Sequence, residues 1–190
     1  MIEDGEGRDA LGTVLVDDRG SLPFLLVHGE ALVAAAAWGL GEAGVTLVDD
    51  GVPWERIVEL DEPVVLHDSL CPMTPPAFIA SCLDQAMATE TVVAGVRPVT
   101  DTVKTFREPY VGETLDRDQL LLVCSPVVLP PRVVASLDGL PTTDLPTLVA
   151  GLREHHLVQT REAPPEAFRV TGREDVRLLE AITRERRNLG

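Results

Sequence analysis

Five consecutive positions, Thr100 to Lys104 in the stretch RPVTDTVKTF, hold two threonine hydroxyls, the Asp101 carboxylate and the only lysine of the chain. Such a set could grip an anion through its hydroxyl and ammonium donors. It could equally turn the backbone, because Asp and Thr side chains bond to nearby main-chain groups. Arg117, a short way downstream, adds the planar fork that phosphate oxygens favour. A second candidate is HDSLC, residues 67–71, at the end of an apolar run. Asp68 there could meet a metal ion or cap the end of a strand. Ser69 beside His67 and Asp68 lacks the glycines of a nucleophile elbow, so a hydrolase triad is not indicated. His155 and His156 are adjacent and cannot share one face of a helix; they read as a helix end or a strand start.

Something must hold these groups in place, and 190 residues suit a single domain, residues 1–190, with a substantial core. The 31 acidic against 16 basic side chains give a net charge of −15, a field that repels a phosphate backbone and argues against nucleic acid as a partner. Cys71, Cys82 and Cys124 show no CxxC spacing, so neither a zinc ligand set nor a disulfide framework is indicated, and they read as reduced thiols of a cytoplasmic protein. The longest apolar run, ALVAAAAWGL, covers residues 31–40. A bilayer needs about 20 apolar residues, so this run reads as a buried helix and no membrane association is expected.

Short β-branched runs alternate with helical patterns. GTVLV (12–16), VTLV (45–48), RIVEL (56–60), PVVLHD (63–68), TVVAGV (91–96), LLLVCSP (120–126) and FRVT (168–171) read as strands. Residues 30–43, about 75–88, 131–137, 144–154 and about 172–187 read as helices. Thr74 is placed as an N-cap with Pro75 at the first helical position, and Thr171 with Glu174 forms the capping-box pattern. The alternation predicts an α/β fold with a mainly parallel sheet covered on both faces. The polar, turn-rich section 99–118 interrupts it and reads as an extended excursion or β-arm.

Four segments in order, VVLHDSLCP (64–72), PVTDTVK (98–104), LDRDQLLLVCSP (115–126) and FRVTGREDVRLLEAI (168–182), resemble the 2-C-methyl-D-erythritol 4-phosphate cytidylyltransferases of non-mevalonate isoprenoid synthesis. In that family the segments read roughly V-H-D-A-A-R-P, P-V-x-D-T-x-K, V-D-R-x-x-L-W-x-x-x-T-P-Q and N-I-K-x-T-x-P-E-D-L. The resemblance implies a three-layer α/β/α nucleotidyltransferase-type, Rossmann-like sandwich with a protruding β-arm at 98–118 that pairs two subunits. It also implies a substrate phosphate site at Thr102 and Arg117, with Arg169 in place of the family lysine and Thr143 of PTTDLPT nearby. Asp68 takes the place of the aspartate that meets the metal.

The departures concern the nucleotide half. Family members follow the first strand with A-A-G-x-G-x-R-x-G and P-K, whose amides and cations hold the triphosphate of CTP. Here GTVLV runs into DDRGSLPF, with two carboxylates at the start of the loop and Phe24 where the lysine would stand. A triphosphate carries about four negative charges, so Asp17 and Asp18 beside it would cost several kcal/mol, with Arg19 a partial substitute for the missing cations. The G-G-x-x-R-x-x-S-V stretch of the cytidine pocket has no counterpart in residues 45–63, and Cys71 replaces the arginine of D-A-A-R-P. The reading is a divergent homologue, a pseudoenzyme or partner protein, working as a homodimer without normal CTP binding. The alternatives are an active enzyme that transfers CMP with Mg²⁺, the cofactor implied only in that case, and a binder of another phosphorylated or acidic metabolite.

Overall fold

The computed structural model describes residues 9–49, 51–100, 104–108 and 110–187. In chain order the elements are β1 (Leu11–Leu15), β2 (Leu26–Val27), β3 (Glu30–Ala31), α1 (Leu32–Glu42), β4 (Thr46–Leu47), α2 (Trp54–Leu60), β5 (Val64–Asp68) and α3 (Pro76–Thr89). They continue with β6 (Val92–Pro98), β7 (Lys104–Arg107), β8 (Tyr110–Thr114), β9 (Leu121–Leu129), α4 (Pro131–Val134), α5 (Leu145–Leu152), β10 (Val158–Glu162) and α6 (Arg173–Arg187). Six strands form the central sheet in the order β10-β6-β9-β5-β1-β4. β1 runs parallel to β4 and β5, β10 runs parallel to β6, and β9 is antiparallel to both its neighbours.

All five residues of β5 are buried, as expected of a strand covered on both faces. Alternation along it feeds two cores. Val64 and Leu66 pack with Ile57, Val133, Val134, Leu145 and Leu148 under α2, α4 and α5. Val65 packs on the other face with Leu40, Ile79, Cys82 and Leu83 of α1 and α3. These are the layers of an α/β/α sandwich. A third cluster, including Val27, Leu32, Leu70, Val170 and Leu179, seats α6 against the β2–β3 hairpin and the turn after β5.

Residues 56–60 are helical and not a strand, because Trp54, Ile57 and Val58, at helical spacing, turn together onto the α2 side of the sheet. FRVT forms no strand either: Phe168 and Val170 pack in the third cluster, and the Val170 amide bonds the Leu70 carbonyl. The edge strand is β10, whose VQTRE carries too few apolar residues to announce itself. Pro75, not Thr74, stands at the N-cap of α3, and the Thr74 hydroxyl instead donates to the Cys71 carbonyl at 2.9 Å. At α6, Asp175 and not Glu174 reaches back, accepting from the Thr171 amide at 2.7 Å and its hydroxyl at 2.6 Å. Within 99–118, β7 and β8 pair as an antiparallel hairpin separate from the central sheet. Asp101, Thr102 and Val103 lie outside the described residues. Among the described residues no helix is long and apolar enough to cross a membrane.

Candidate functional site

β5 ends at Asp68 beside Leu15, the end of β1, so the two strands bring the carboxylate next to the loop that leaves β1. Six residues, Val16–Ser21, join β1 to a helical turn at Leu22–Phe24. They carry Arg19 inward, where it is 8% exposed, against Asp68 at 3%. Arg19 Nε donates to Asp68 Oδ1 at 2.6 Å. Its two terminal nitrogens donate to the carbonyls of Asp17 and Thr143. Asp68 Oδ1 also accepts from the Leu70 amide at 2.9 Å, and Oδ2 accepts from Arg169 Nε at 2.9 Å. A buried carboxylate thus lies between two guanidinium groups, the arrangement that repays its desolvation. Burial pushes the Asp68 carboxyl up, but the Arg19 hydrogen bond, the Leu70 amide and Arg169 outweigh it and hold the group below the ordinary carboxylate value.

Behind the carboxylate lies a buried polar chain. The Asp68 amide donates to Ser125 Oγ at 2.9 Å, and the same hydroxyl is hydrogen-bonded to His67 Nδ1. His67 is fully buried, and burial, partly offset by the Asp68 charge, pushes it down to about 4. It is therefore neutral at neutral pH. His67 Nε2 and Ser69 Oγ have no hydrogen-bond partner among the described residues. The partner of His67 is Ser125 and not Ser69, and all three are sealed from solvent, so no triad is assembled. Cys71 and Cys124 are buried free thiols; burial raises Cys71 well above its usual value and Cys124 to about 11.

Of the residues singled out for phosphate, Arg169 and Thr143 come together, joined through Arg19 and Asp68. Thr143 contributes its carbonyl and sits just before Asp144, which caps α5 by accepting from the Thr147 amide. The Arg169 side chain is 43% exposed, and its terminal nitrogens bond no other described residue, so its fork is open to an anion. Arg117 is exposed on the arm, where it donates to the Thr100 carbonyl at 2.8 Å; none of the bonds that knit the Asp68 cluster reaches it. Thr102 lies outside the described residues. Asp68 does not fit Mg²⁺, because both of its oxygens are turned to protein donors. Among the described residues no group of three or more His, Cys, Asp or Glu could hold a metal ion.

Sequence reasoning left two members of the cluster without their present roles. Arg19 was expected to offset missing phosphate cations and instead neutralises Asp68; its position after the first strand, opposite the end of the Asp68 strand, was the available signal. Ser125 gave no signal, since only the β5–β9 pairing brings it to His67.

A family model described as IspD, 2-C-methyl-D-erythritol 4-phosphate cytidylyltransferase, matches residues 53–185. The chain is 33% identical over 129 residues to the cytidylyltransferase of that name from Lysinibacillus sphaericus, covering 65% of this chain and 54% of that one. It is 31% identical to those of Rhodococcus jostii, over 84% of this chain and 69% of the relative, and Corynebacterium glutamicum strain R, over 90% and 67%. The chain therefore spans about half to two thirds of the length of these relatives. The crystal structure of the cytidylyltransferase from Thermus thermophilus superposes with a TM-score of 0.69 at 22% identity, over 91% of this chain and 98% of that one. The 4-diphosphocytidyl-2C-methyl-D-erythritol synthase of Anaerococcus prevotii gives 0.68 at 13% identity, over 94% and 100%. Both share the fold.

Proposed function

Since the chain belongs to the 2-C-methyl-D-erythritol 4-phosphate cytidylyltransferase family, we propose that it is a binding homologue of those enzymes, keeping a seat for a phosphorylated small molecule but not transferring CMP. One observation carries this reading: the Asp68 carboxylate is closed off by Arg19 and Arg169. A metal-dependent transfer of a nucleotidyl group needs a carboxylate free to hold Mg²⁺ and cations free to meet a triphosphate. Here Asp68 is spent on arginine, and Nε and both terminal nitrogens of Arg19 are spent on protein acceptors.

The loop from β1 strengthens the reading. It is six residues long, Asp17 and Asp18 are exposed on it, and Phe24, 67% exposed, stands just beyond it. A triphosphate placed there would meet two carboxylates and a phenyl ring. Arg169 retains an open fork with the Thr143 segment beside it, which suits a single phosphate.

The arm is the second part of the proposal. Phe106 is 69% exposed and Tyr110 75% on the β7–β8 hairpin, with Leu115 38% exposed beyond it. Paired with the arm of a second copy, they would be covered, and Arg117 with Thr102 would be carried to the neighbouring subunit's phosphate seat. Three unbridged thiols agree with a cytoplasmic setting.

Calorimetric titration tests the reading. CTP with Mg²⁺ should give no heat and leave the melting temperature unmoved at millimolar concentration, whereas 2-C-methyl-D-erythritol 4-phosphate or a related phosphate monoester should bind, and bind less well to R169Q. Pyrophosphate release on mixing CTP with 2-C-methyl-D-erythritol 4-phosphate would establish an active transferase and overturn the proposal.

A further inference from the structure

A cavity of about 660 Å³ opens away from the Asp68 cluster, and Arg19, Asp68 and Arg169 take no part in it. It is lined by α1 at Ala34 and Ala35 and by the proline-rich segment Pro72–Pro76. The far end is built by a clamp. His28 turns the β2–β3 hairpin with a positive φ of 50° that suits glycine better, and α6 holds it there. Glu180 Oε1 accepts from the His28 amide at 2.8 Å, and the imidazole Nε2 lies 2.6 Å from Thr183 Oγ1. His28 and Thr183 thereby close the cavity with fixed polar groups.

Two features define what would enter. The first is charge: Glu30 and Glu166 line the space, and among the described residues no lysine or arginine does. An anion would enter against the exposed Glu30 carboxylate. The second is Trp38, which lines the cavity while 65% exposed and presents a large aromatic face. A small hydrated metal cation would have to shed its water into a mostly apolar space, which is costly. A diffuse ammonium on a hydrocarbon or aromatic body would not: its body fills the Ala and Pro surfaces, and its charge meets the indole face and Glu30. The volume falls within the range of small-molecule sites.

We propose that this cavity, bounded by α1, the Pro72–Pro76 segment, the His28 hairpin and α6, is a binding site for an apolar organic cation, a tertiary or quaternary ammonium, with Trp38 and Glu30 as its charge-recognising groups. The site does not depend on what the Asp68 cluster binds.

The probe is benzyltriethylammonium, with 4-tert-butylbenzoate as an anion of comparable apolar body, each titrated into the full chain by calorimetry and by tryptophan fluorescence. Only Trp38 and Trp54 can report, and the Trp54 indole is fixed to the Leu137 carbonyl at 2.9 Å. The cation should bind with a Kd of about 1 mM or tighter, with a fluorescence change lost in W38F, and the benzoate should not saturate by about 10 mM. Ala34 is exposed, so A34F fills the space without entering the core and should weaken binding about tenfold or more. E30Q, also at an exposed position, should weaken it about two- to fivefold. Both variants should melt with the wild type. Equal affinity for the benzoate, undiminished binding by A34F or by E30Q, or no saturable binding of the cation would overturn the assignment.

Discussion

Replacing His67 by Asn should flatten the dependence of stability on pH. The imidazole is fully buried and held down to about 4 by burial, against about 6.5 in an unfolded chain. Between these values the unfolded state binds a proton that the folded state refuses, so stability is complete above pH 6.5 and falls as pH falls toward 4. At about pH 5 the loss comes to about 2 kcal/mol relative to pH 7.5, which for a chain of this size lowers Tm by about 4–8 °C. The Asn amide can keep the bond to Ser125 that Nδ1 makes, so the variant removes the titration and leaves the local contact. Urea denaturation of both proteins at the two pH values measures the effect. The stability difference between wild type and H67N should shift by about 2 kcal/mol across this range. An unchanged difference, or an NMR titration placing the His67 imidazole above pH 6, would refute the reasoning.

The buried ion pair predicts an asymmetry: Asp68→Asn strands Arg19, 8% exposed, and should cost about 3–5 kcal/mol, whereas Arg169→Gln, at a side chain 43% exposed, should cost under about 1 kcal/mol; equal losses in urea unfolding would contradict it. Gly95→Ala would place a Cβ 2.9 Å from the Ser125 carbonyl oxygen, at the register shift between β6 and β9, and a contact with backbone cannot retreat. It should cost about 2 kcal/mol or more, and a wild-type melting temperature would show that the strands can part there. Light scattering should give about twice the 20.5 kDa chain mass, and deletion of residues 103–115 should give monomers or aggregates; a monodisperse monomer from the intact chain would end the arm-dimer reading.

The sandwich was legible because its centre is written in period and composition. β5 opens on the β-branched run Val64–Leu66 and β9 is a long, mostly apolar run, while α1 and α3 are too long and too rich in helix formers to be strands. The failures fall at the margins, where tertiary contacts decide. RIVEL has strand composition, yet Trp54 three residues before Ile57 supplies the helical face that the sheet needs. VQTRE has little apolar content, yet the open edge of β6 recruits it as β10. The caps moved for a similar reason, since Thr74 and Thr171 found nearer partners in Cys71 and Asp175.

The candidate site shows where motif reading stops in physical terms. The family pattern keeps Asp68, and a retained aspartate suggests a retained metal. A carboxylate, however, is defined by what faces it. Asp68 is separated by 49 residues from Arg19 and by 101 from Arg169, and only the fold brings the three together. Two guanidinium groups face the one buried carboxylate, with Arg169 partly open to solvent and the Asp144 carboxylate near both arginines. In the proposed reading such a centre favours a phosphate over a divalent cation, the opposite preference from that of a free aspartate. The loop after β1 is what brings Arg19 to Asp68. Its six residues hold Arg19 down on the strand end, where its carboxylate partner is Asp68. The loop and the aspartate therefore form one unit. Replacing Arg19 would leave Asp68 with Arg169 and the Leu70 amide alone, and replacing Asp68 would leave Arg19 buried with only main-chain acceptors.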